Sequence, residues 1–333
     1  MRVVVVGATG NVGTQLLDVL AGGGHDVVGI ARRLPPGGRA AVTWAQADVS
    51  RDPLVEHFRG ADCVVHLAWL IQPSHDRKTT WLTNVNGSSR VFEAVAEAAV
   101  PSLVHASSVG AYSPGPKQPV DESWPTGGIR TSFYSRDKAE VERRLDRFET
   151  DQPNVRVVRL RPSLIFQRAM GTEVKRLFTG RWVPHPLISR RTIPFVPSTP
   201  RLRFQATHTR DVAEAYRLAV EGDARGAFNV AADPVLDPDV LARVLGKPKL
   251  RVPEGVLRGL VAATWRARIQ PTPEGWVDMA LGVPIMDCSR ARRELLWEAG
   301  QSSIDALHAV LTGMREGRTA RTPATAGHGA APV

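Results

Sequence analysis

Two short stretches of the chain hold residues that could do chemistry together. "FYSRDK" sets Tyr134 and Lys138 four positions apart, in a chain with three tyrosines and six lysines. That spacing puts both side chains on one helix face, as it would for a plain surface pair. A phenol, with a pKa of about 10, is a poor base at neutral pH. A nearby ammonium favours its ionised form, and an oxidised nicotinamide ring would add a second positive charge. The pair then suits proton exchange with an alcohol or carbonyl oxygen while hydride moves at the carbon. "GATGNVG" supplies a place for such a cofactor, with Gly7, Gly10 and Gly13 at three-residue intervals between an apolar run and a helical pattern. Glycines there allow a tight turn and a close backbone approach to a pyrophosphate, which the N–H groups of the new helix hold. The next apolar run ends in Ala31, Arg32 and Arg33, where an NAD site carries a carboxylate. Guanidinium groups attract a 2′-phosphate, so NADP is expected, with NAD the alternative. Asp48, in "ADV", is either an acceptor for the adenine amino group or a helix N-cap.

The elements around these residues follow from apolar patterning. "RVVVV" reads as a strand buried on both faces, as in a parallel sheet. "TQLLDVLAGGG" has helical spacing and a glycine stop. "DVVGI", "VTWAQADV", "DCVVHLAW", "SLVHASS" and "VRVVRLRP" read as five more strands, and "AFNVAA" as a last one. A long helical stretch covers about Asp76–Ala99, another Phe133–Thr150, and a third Asp211–Glu221. Alternation of this kind points to a doubly wound α/β sheet. Beyond Pro162 the alternation weakens, residues 180–205 are rich in proline and arginine, and from Asp237 the chain looks mainly helical. The expected division is a nucleotide-binding lobe over 1–165, completed by 206–231, and a substrate lobe over 166–205 and 232–316. The tail from 317 to 333 is small, polar and proline-bearing, and is expected to be disordered.

Nine motifs stand in one order: "GATGNVG", "ADV", "HLAW", "NVNGS", "HASSVGAY", "YSRDK", "LRP", "HTRDVA" and "FNVA". Over Met1–Ala231 the chain resembles the extended short-chain dehydrogenase/reductase family, in its epimerase/dehydratase branch. The resemblance implies a Rossmann lobe of about seven parallel strands and a small C-terminal substrate lobe. It assigns catalysis to Tyr134 and Lys138, with Ser108 hydrogen-bonded to the reacting oxygen and Asn84 filling the family asparagine of the long helix. It places cofactor contacts at Gly7, Thr9, Gly10, Asn11, Val12 and Gly13, at Arg32 and Arg33, and at Asp48 and Val49. Leu67, Ala68, Tyr134, Lys138 and Arg161 complete that set. A homodimer through two long helices, one of them Phe133–Thr150, is also implied.

The substrate is less determined. Sugar-nucleotide enzymes of that branch grip a diphosphate with an arginine; here that position is Phe204, with Arg203 beside it. "LRPSLIFQ" lacks their asparagine, and "HTRD" departs from "HVDD". Trp69, Trp124, Trp182, Trp265 and Trp276 fall in or near segments expected to line a cleft, and ligand sites are mostly apolar. His66 and His105 lie in apolar strands and read as core histidines; His208 and Asp211, at a helix start, read as structural or as supports near the substrate. No His/Cys/acid cluster has metal spacing. The net charge of +10 is the balance of 43 basic and 33 acidic residues. The arginines are scattered and do not alternate with aromatics, which argues against nucleic acid. Apolar runs fall short of the roughly 20 residues a membrane span needs, and the amphipathic "GVLRGLVAATWRARI" counts among the apolar features of the cleft, with contact to a membrane surface as the alternative. Cys63 and Cys288 form no framework, and a cytoplasmic location is expected. The leading expectation is an NADP-dependent oxidoreductase acting on a fairly apolar small metabolite. The alternatives are an epimerase or dehydratase that oxidises transiently, and a non-catalytic NADP(H)-sensing protein.

Overall fold

The computed structural model describes residues 1–72, 74–174 and 194–318. Seven strands form one parallel sheet: β1 (Arg2–Val6), β2 (Asp26–Ala31), β3 (Val42–Gln46), β4 (Cys63–His66), β5 (Ser102–Ala106), β6 (Arg156–Pro162) and β7 (Gly226–Val230). Their order is β7-β6-β5-β4-β1-β2-β3, with every pairing parallel. The chain winds outward from β1 to β3, then restarts at β4 on the other side of β1. A crevice therefore opens at the C-terminal ends of β1 and β4, where such sheets bind ligands.

Strand β1 shows how the layers arise. Val3 and Val5 face one core, with Leu16, Leu17 and Leu20 of α1 (Asn11–Gly22). Val4 and Val6 face the other, with Val91, Phe92 and Val95 from the helical run after β4. Period-two alternation with both faces apolar needs helices on both sides. That run consists of α2 (Arg77–Trp81), a π-helical turn over Leu82–Asn86 and α3 (Gly87–Glu97). The expected continuous helix is thus interrupted by a wider turn, and such turns often mark functional sites. Helix α4 (Phe133–Asp151) packs beside α3, and α5 (Thr209–Glu221) lies against α1.

The remaining chain is mainly helical, as expected: α6 (Pro238–Leu245), α7 (Glu254–Arg266), α8 (Gly275–Gly282) and α9 (Ser303–Glu316) are joined by short strand pairs. Leu164–Phe166 pairs with Ala206–His208, and Ile285–Met286 with Pro119–Val120. Phe204 bridges Leu236 and joins a small apolar cluster with Ala206 and Val240, which explains an aromatic at that position. Trp182 and the tail from 319 lie outside the described residues. Among the described residues, no helix is long and apolar enough to cross a membrane.

Candidate active site

The glycine turn follows β1 directly. Gly7 donates its N–H to Ile30 (2.9 Å) and Gly10 donates to Gly7 (3.0 Å). Gly7 has φ +88°, and a Cβ there would meet the Ala68 nitrogen at 2.6 Å. Both the conformation and the close approach require glycine. Gly10 caps α1 through its backbone alone, with no side chain accepting from the first turn. Those N–H groups are therefore available to an anion. The side chains of Asn11 and Val12 point to other tasks: Asn11 Oδ1 accepts from Gln167 (2.6 Å) and Thr209 (3.1 Å), and Val12 packs against the core. Contributions from these two to a nucleotide would come from backbone.

A cleft runs from this turn past Arg32 and Arg33, Val49, Leu67 and Ala68 to Trp69. Both arginines are exposed. Asp48 turns aside: its Oδ1 accepts from the Ser50 nitrogen (2.9 Å) and hydroxyl (2.7 Å). Burial alone would raise its pKa, but the Ser50 hydrogen bonds, with Arg32 and Arg51, hold the carboxyl below the usual range. These residues fit a dinucleotide: a glycine cradle that a Cβ would fill, uncapped amides, and cations with no carboxylate at the end of β2.

The loop after β4 is pinned at both ends. Leu67 donates to Val6 (2.8 Å), and Asn84 clamps the Leu70 backbone with Oδ1 accepting (2.7 Å) and Nδ2 donating (2.8 Å). Asn84 lies in the π turn and is buried. Its amide thus holds the backbone of one wall of the site.

Helix α4 brings Tyr134 and Lys138 against the loop after β5. Ser132 caps the helix, and Ser135 bridges Ile129 and Gly110, which locks the helix start onto the loop. Ser108 Oγ accepts from Gly110 (3.0 Å) and shares a hydrogen bond with Tyr134. The Tyr134 ring lies 5.9 Å from Trp69 and 5.0 Å from Trp276. Lys138 is buried; its Nζ donates to the Ala106 carbonyl (2.7 Å) and sits 3.5 Å from the Trp69 ring centre.

Sequence reasoning brings Ser108, Tyr134 and Lys138 together, and the fold does so. The electrostatics differ. Burial pushes the Tyr134 hydroxyl upward, with the Ser108 bond opposing. Burial pulls Lys138 down to about 7, with Glu142 and Asp137 opposing. The ammonium points at Ala106 and Trp69, 6.0 Å from the tyrosine ring centre, so the expected acidification of the phenol is not built into this arrangement.

Arg161, expected at the cofactor, is engaged inside the protein. Its guanidinium donates to both oxygens of Glu142 (2.9 and 3.0 Å), to the Tyr112 hydroxyl (3.1 Å) and to the Glu122 carbonyl (2.9 Å). Buried donors must be satisfied, and these are consumed within the core beneath the site. Glu142 also accepts from Ser107 (2.5 Å) and pairs with Arg159 (2.8 Å). Sequence reasoning missed Glu142; its position four residues after Lys138, on the same helix face, was the available signal. Trp276, one of the tryptophans expected near the cleft, lies beside Tyr134. His66 binds Ser88 (2.9 Å), and burial, then Lys138, lowers its pKa to about 3. Burial also takes His105 well below its ordinary value, so both are neutral core residues, as read. Asp211 accepts from Gln301 (3.0 Å) and supports the C-terminal segment. Among the described residues, no group of three or more His, Cys, Asp or Glu could hold a metal.

The family model described as "NAD dependent epimerase/dehydratase family" matches residues 3–231. The chain belongs to that family. Among curated proteins, an uncharacterized Mycobacterium tuberculosis protein is 28% identical over 265 residues, 78% of this chain but 25% of that protein. This chain thus spans about a quarter of that relative's length. L-arabinose 1-dehydrogenase (NAD(P)(+)) of Haloferax volcanii is 36% identical over 106 residues, 32% of this chain and 40% of that one. A Stigmatella aurantiaca enzyme, 4-hydroxy-2-methyl-3-oxo-4-farnesyl-3,4-dihydroquinoline-1-oxide ketoreductase, is 28% identical over 171 residues, 50% of this chain and 51% of its own. The fold of MoeE5, solved with UDP-glucuronic acid and NAD, superposes with a TM-score of 0.71 at 20% identity, covering 95% of this chain and all of that one. At that identity the likeness concerns fold alone.

Proposed function

We propose that this family member is an NADP-dependent oxidoreductase that interconverts a carbonyl and an alcohol on a fairly apolar small metabolite. The observation that carries the reading is the Ser108–Tyr134–Lys138 cluster walled by Trp69 and Trp276, at the end of a cleft whose β2 edge bears Arg32 and Arg33. A bound nicotinamide dinucleotide would supply or accept the hydride. In the reducing direction, Tyr134 gives its hydroxyl proton to the carbonyl oxygen, and Ser108 holds that oxygen by a hydrogen bond. Lys138, as a cation turned from Ala106 and Trp69 toward the phenol, would stabilise the tyrosinate left behind. Gly7, Thr9, Gly10 and Gly13, with the backbone of Asn11 and Val12, hold the pyrophosphate end; Arg32 and Arg33 take the 2′-phosphate. Residues 166–174, 194–205 and 232–316 form the substrate lobe, the expected stretch between 174 and 194 lying outside the described residues, and two copies associate through α3 and α4.

The aromatic walls and Phe204, which cannot grip a diphosphate, favour an apolar substrate over a sugar nucleotide. The arabinose dehydrogenase and the ketoreductase, both net redox enzymes by name, support stoichiometric hydride transfer. The family description itself favours a second reading, transient oxidation with the cofactor regenerated. A panel of apolar ketones and alcohols, followed at the nicotinamide absorbance, separates the two. Stoichiometric NADPH loss supports the proposal; turnover with no net absorbance change supports the second. Arg32→Ala should raise the NADPH KM by about tenfold and leave NADH nearly unchanged, the loss of one charge-assisted bond. An equal effect on both would remove the NADP assignment.

A further inference from the structure

Trp69 stands where the nucleotide cleft meets the catalytic pair. It lines the cleft, its ring meets Tyr134 edge-on, and its face covers the Lys138 ammonium at 3.5 Å. A cation over an indole face is attracted, more so when both are withdrawn from water. Lys138 makes its other contact with Ala106, a backbone carbonyl inside the protein. The ammonium is thereby parked between β5 and Trp69, with the indole between it and the cleft.

The indole's position is incompletely satisfied. Its Nε1 is buried and has no hydrogen-bond partner among the described residues, which buried N–H groups ordinarily find. The backbone beneath it is fixed, by Leu67 on Val6 and by the Asn84 clamp on Leu70. On the far side, Ser74 donates to Pro271 (2.7 Å), Trp265 donates to Ser74 (3.2 Å), and His75 stacks on Trp265 at 4.4 Å. A loop pinned at both ends leaves rotation about the side-chain torsions as the motion open to residue 69.

We propose that Trp69 is a positioning residue for Lys138: its indole holds the ammonium away from the nucleotide cleft, and swings aside to release it when the nicotinamide end of a dinucleotide enters. The release step rests on the cofactor reading above; the holding step does not. Because part of the binding free energy is spent on moving the indole, removing it should tighten binding of the whole dinucleotide. A fragment that fills only the adenosine end should be indifferent to it.

The test uses the full-length protein labelled with 13C at lysine Cε, which gives six lysine resonances. Lys138→Arg identifies the signal of Lys138. Wild-type protein should show that signal shifted upfield by the indole ring current. Trp69→Ala should return it to the ordinary range, and Trp69→Phe, with its smaller ring, should leave an intermediate shift. Saturating NADP+ should abolish the upfield shift in wild type, whereas adenosine 2′,5′-bisphosphate should not. Trp69→Ala should bind NADP+ about three- to tenfold more tightly than wild type, with adenosine 2′,5′-bisphosphate unchanged. A wild-type Lys138 signal in the ordinary range overturns the holding step. A shift that survives saturation, or weaker NADP+ binding by Trp69→Ala, overturns the release step. If neither NADP+ nor NAD+ binds, the cofactor reading fails and takes the release step with it, while the wild-type and variant spectra still decide whether the indole holds Lys138. If Trp69→Ala does not fold, Trp69→Phe decides the same points.

Discussion

In the proposed reaction, Tyr134 depends on surroundings that change its proton affinity. Burial pushes its hydroxyl upward, and Ser108 offers the one opposing hydrogen bond resolved for it. Tyr134→Phe removes the proton and little else, so turnover should fall by about 10²–10⁴-fold, the usual worth of a positioned acid or base. Nucleotide affinity and melting temperature should stay near wild type, checked by titration and thermal shift. Lys138 loses its proton as pH rises through about 7, because burial disfavours the charge more than Glu142 and Asp137 support it. Glu142→Gln removes the larger support. The pKa then drops further, and the alkaline limb of the pH–kcat/KM profile should move to lower pH. A limb unmoved or moved upward would show that Lys138 does not set it.

At the scale of elements, the β1–α1 turn depends on one conformation. Gly7→Ala places a Cβ against the Ala68 backbone and asks a side-chain-bearing residue to hold φ +88°. Strain of this kind costs about 1–3 kcal/mol before any clash. The expected result is a lower melting temperature together with loss of nucleotide binding; retention of both would mean that the turn has another accessible geometry. The π turn over Leu82–Asn86 plays the matching role on the β4 side, since it aims Asn84 at Leu70. Gly110 does the same for α4, where a Cβ would press on the Tyr134 ring at 2.9 Å.

Two features belong to the whole molecule. The C-terminal segment is sewn back onto the sheet. Trp297 donates to the Asp211 carbonyl (2.8 Å), and Ser303 donates to the carbonyls of Ala206 (2.7 Å) and Ala232 (2.8 Å). Helix α9 then meets Arg168–Gly171 backbone to backbone at Gly313, where an added Cβ would overlap the Arg168 carbonyl. Gly313→Ala should therefore destabilise the fold by about 1–3 kcal/mol, the cost of overpacking, read as a lower denaturation midpoint. The second feature is the buried cluster of Glu142 with Arg159 and Arg161. Burial alone would raise the Glu142 pKa, but Arg161, Arg159 and Ser107 hold it to about 2. Its contribution is full above the ordinary carboxylate pKa of 4.5 and is lost as pH falls through about 2. Acid denaturation of wild type should steepen across that window, and Glu142→Gln should flatten it.

The sequence alone determined whatever depends on near neighbours in the chain. The β-branched run at Val3–Val6, the Gly7–Gly10–Gly13 spacing and the four-residue step from Tyr134 to Lys138 each encode local geometry. Read in order, they led to the seven-stranded parallel sheet and to three residues that meet. The reading of His66 and His105 as core residues rested on the same logic, since each sits in an apolar strand. Tertiary structure decided what lies across from those residues. Trp69 over Lys138, Trp276 beside Tyr134, Asn84 on Leu70 and Arg161 on Glu142 join segments whose separation along the chain carries no periodic signal. A side chain's type constrains what it can bond to; which partner takes up those bonds depends on how helices and loops pack, and that packing gave Asn84 and Arg161 partners in the frame around the site.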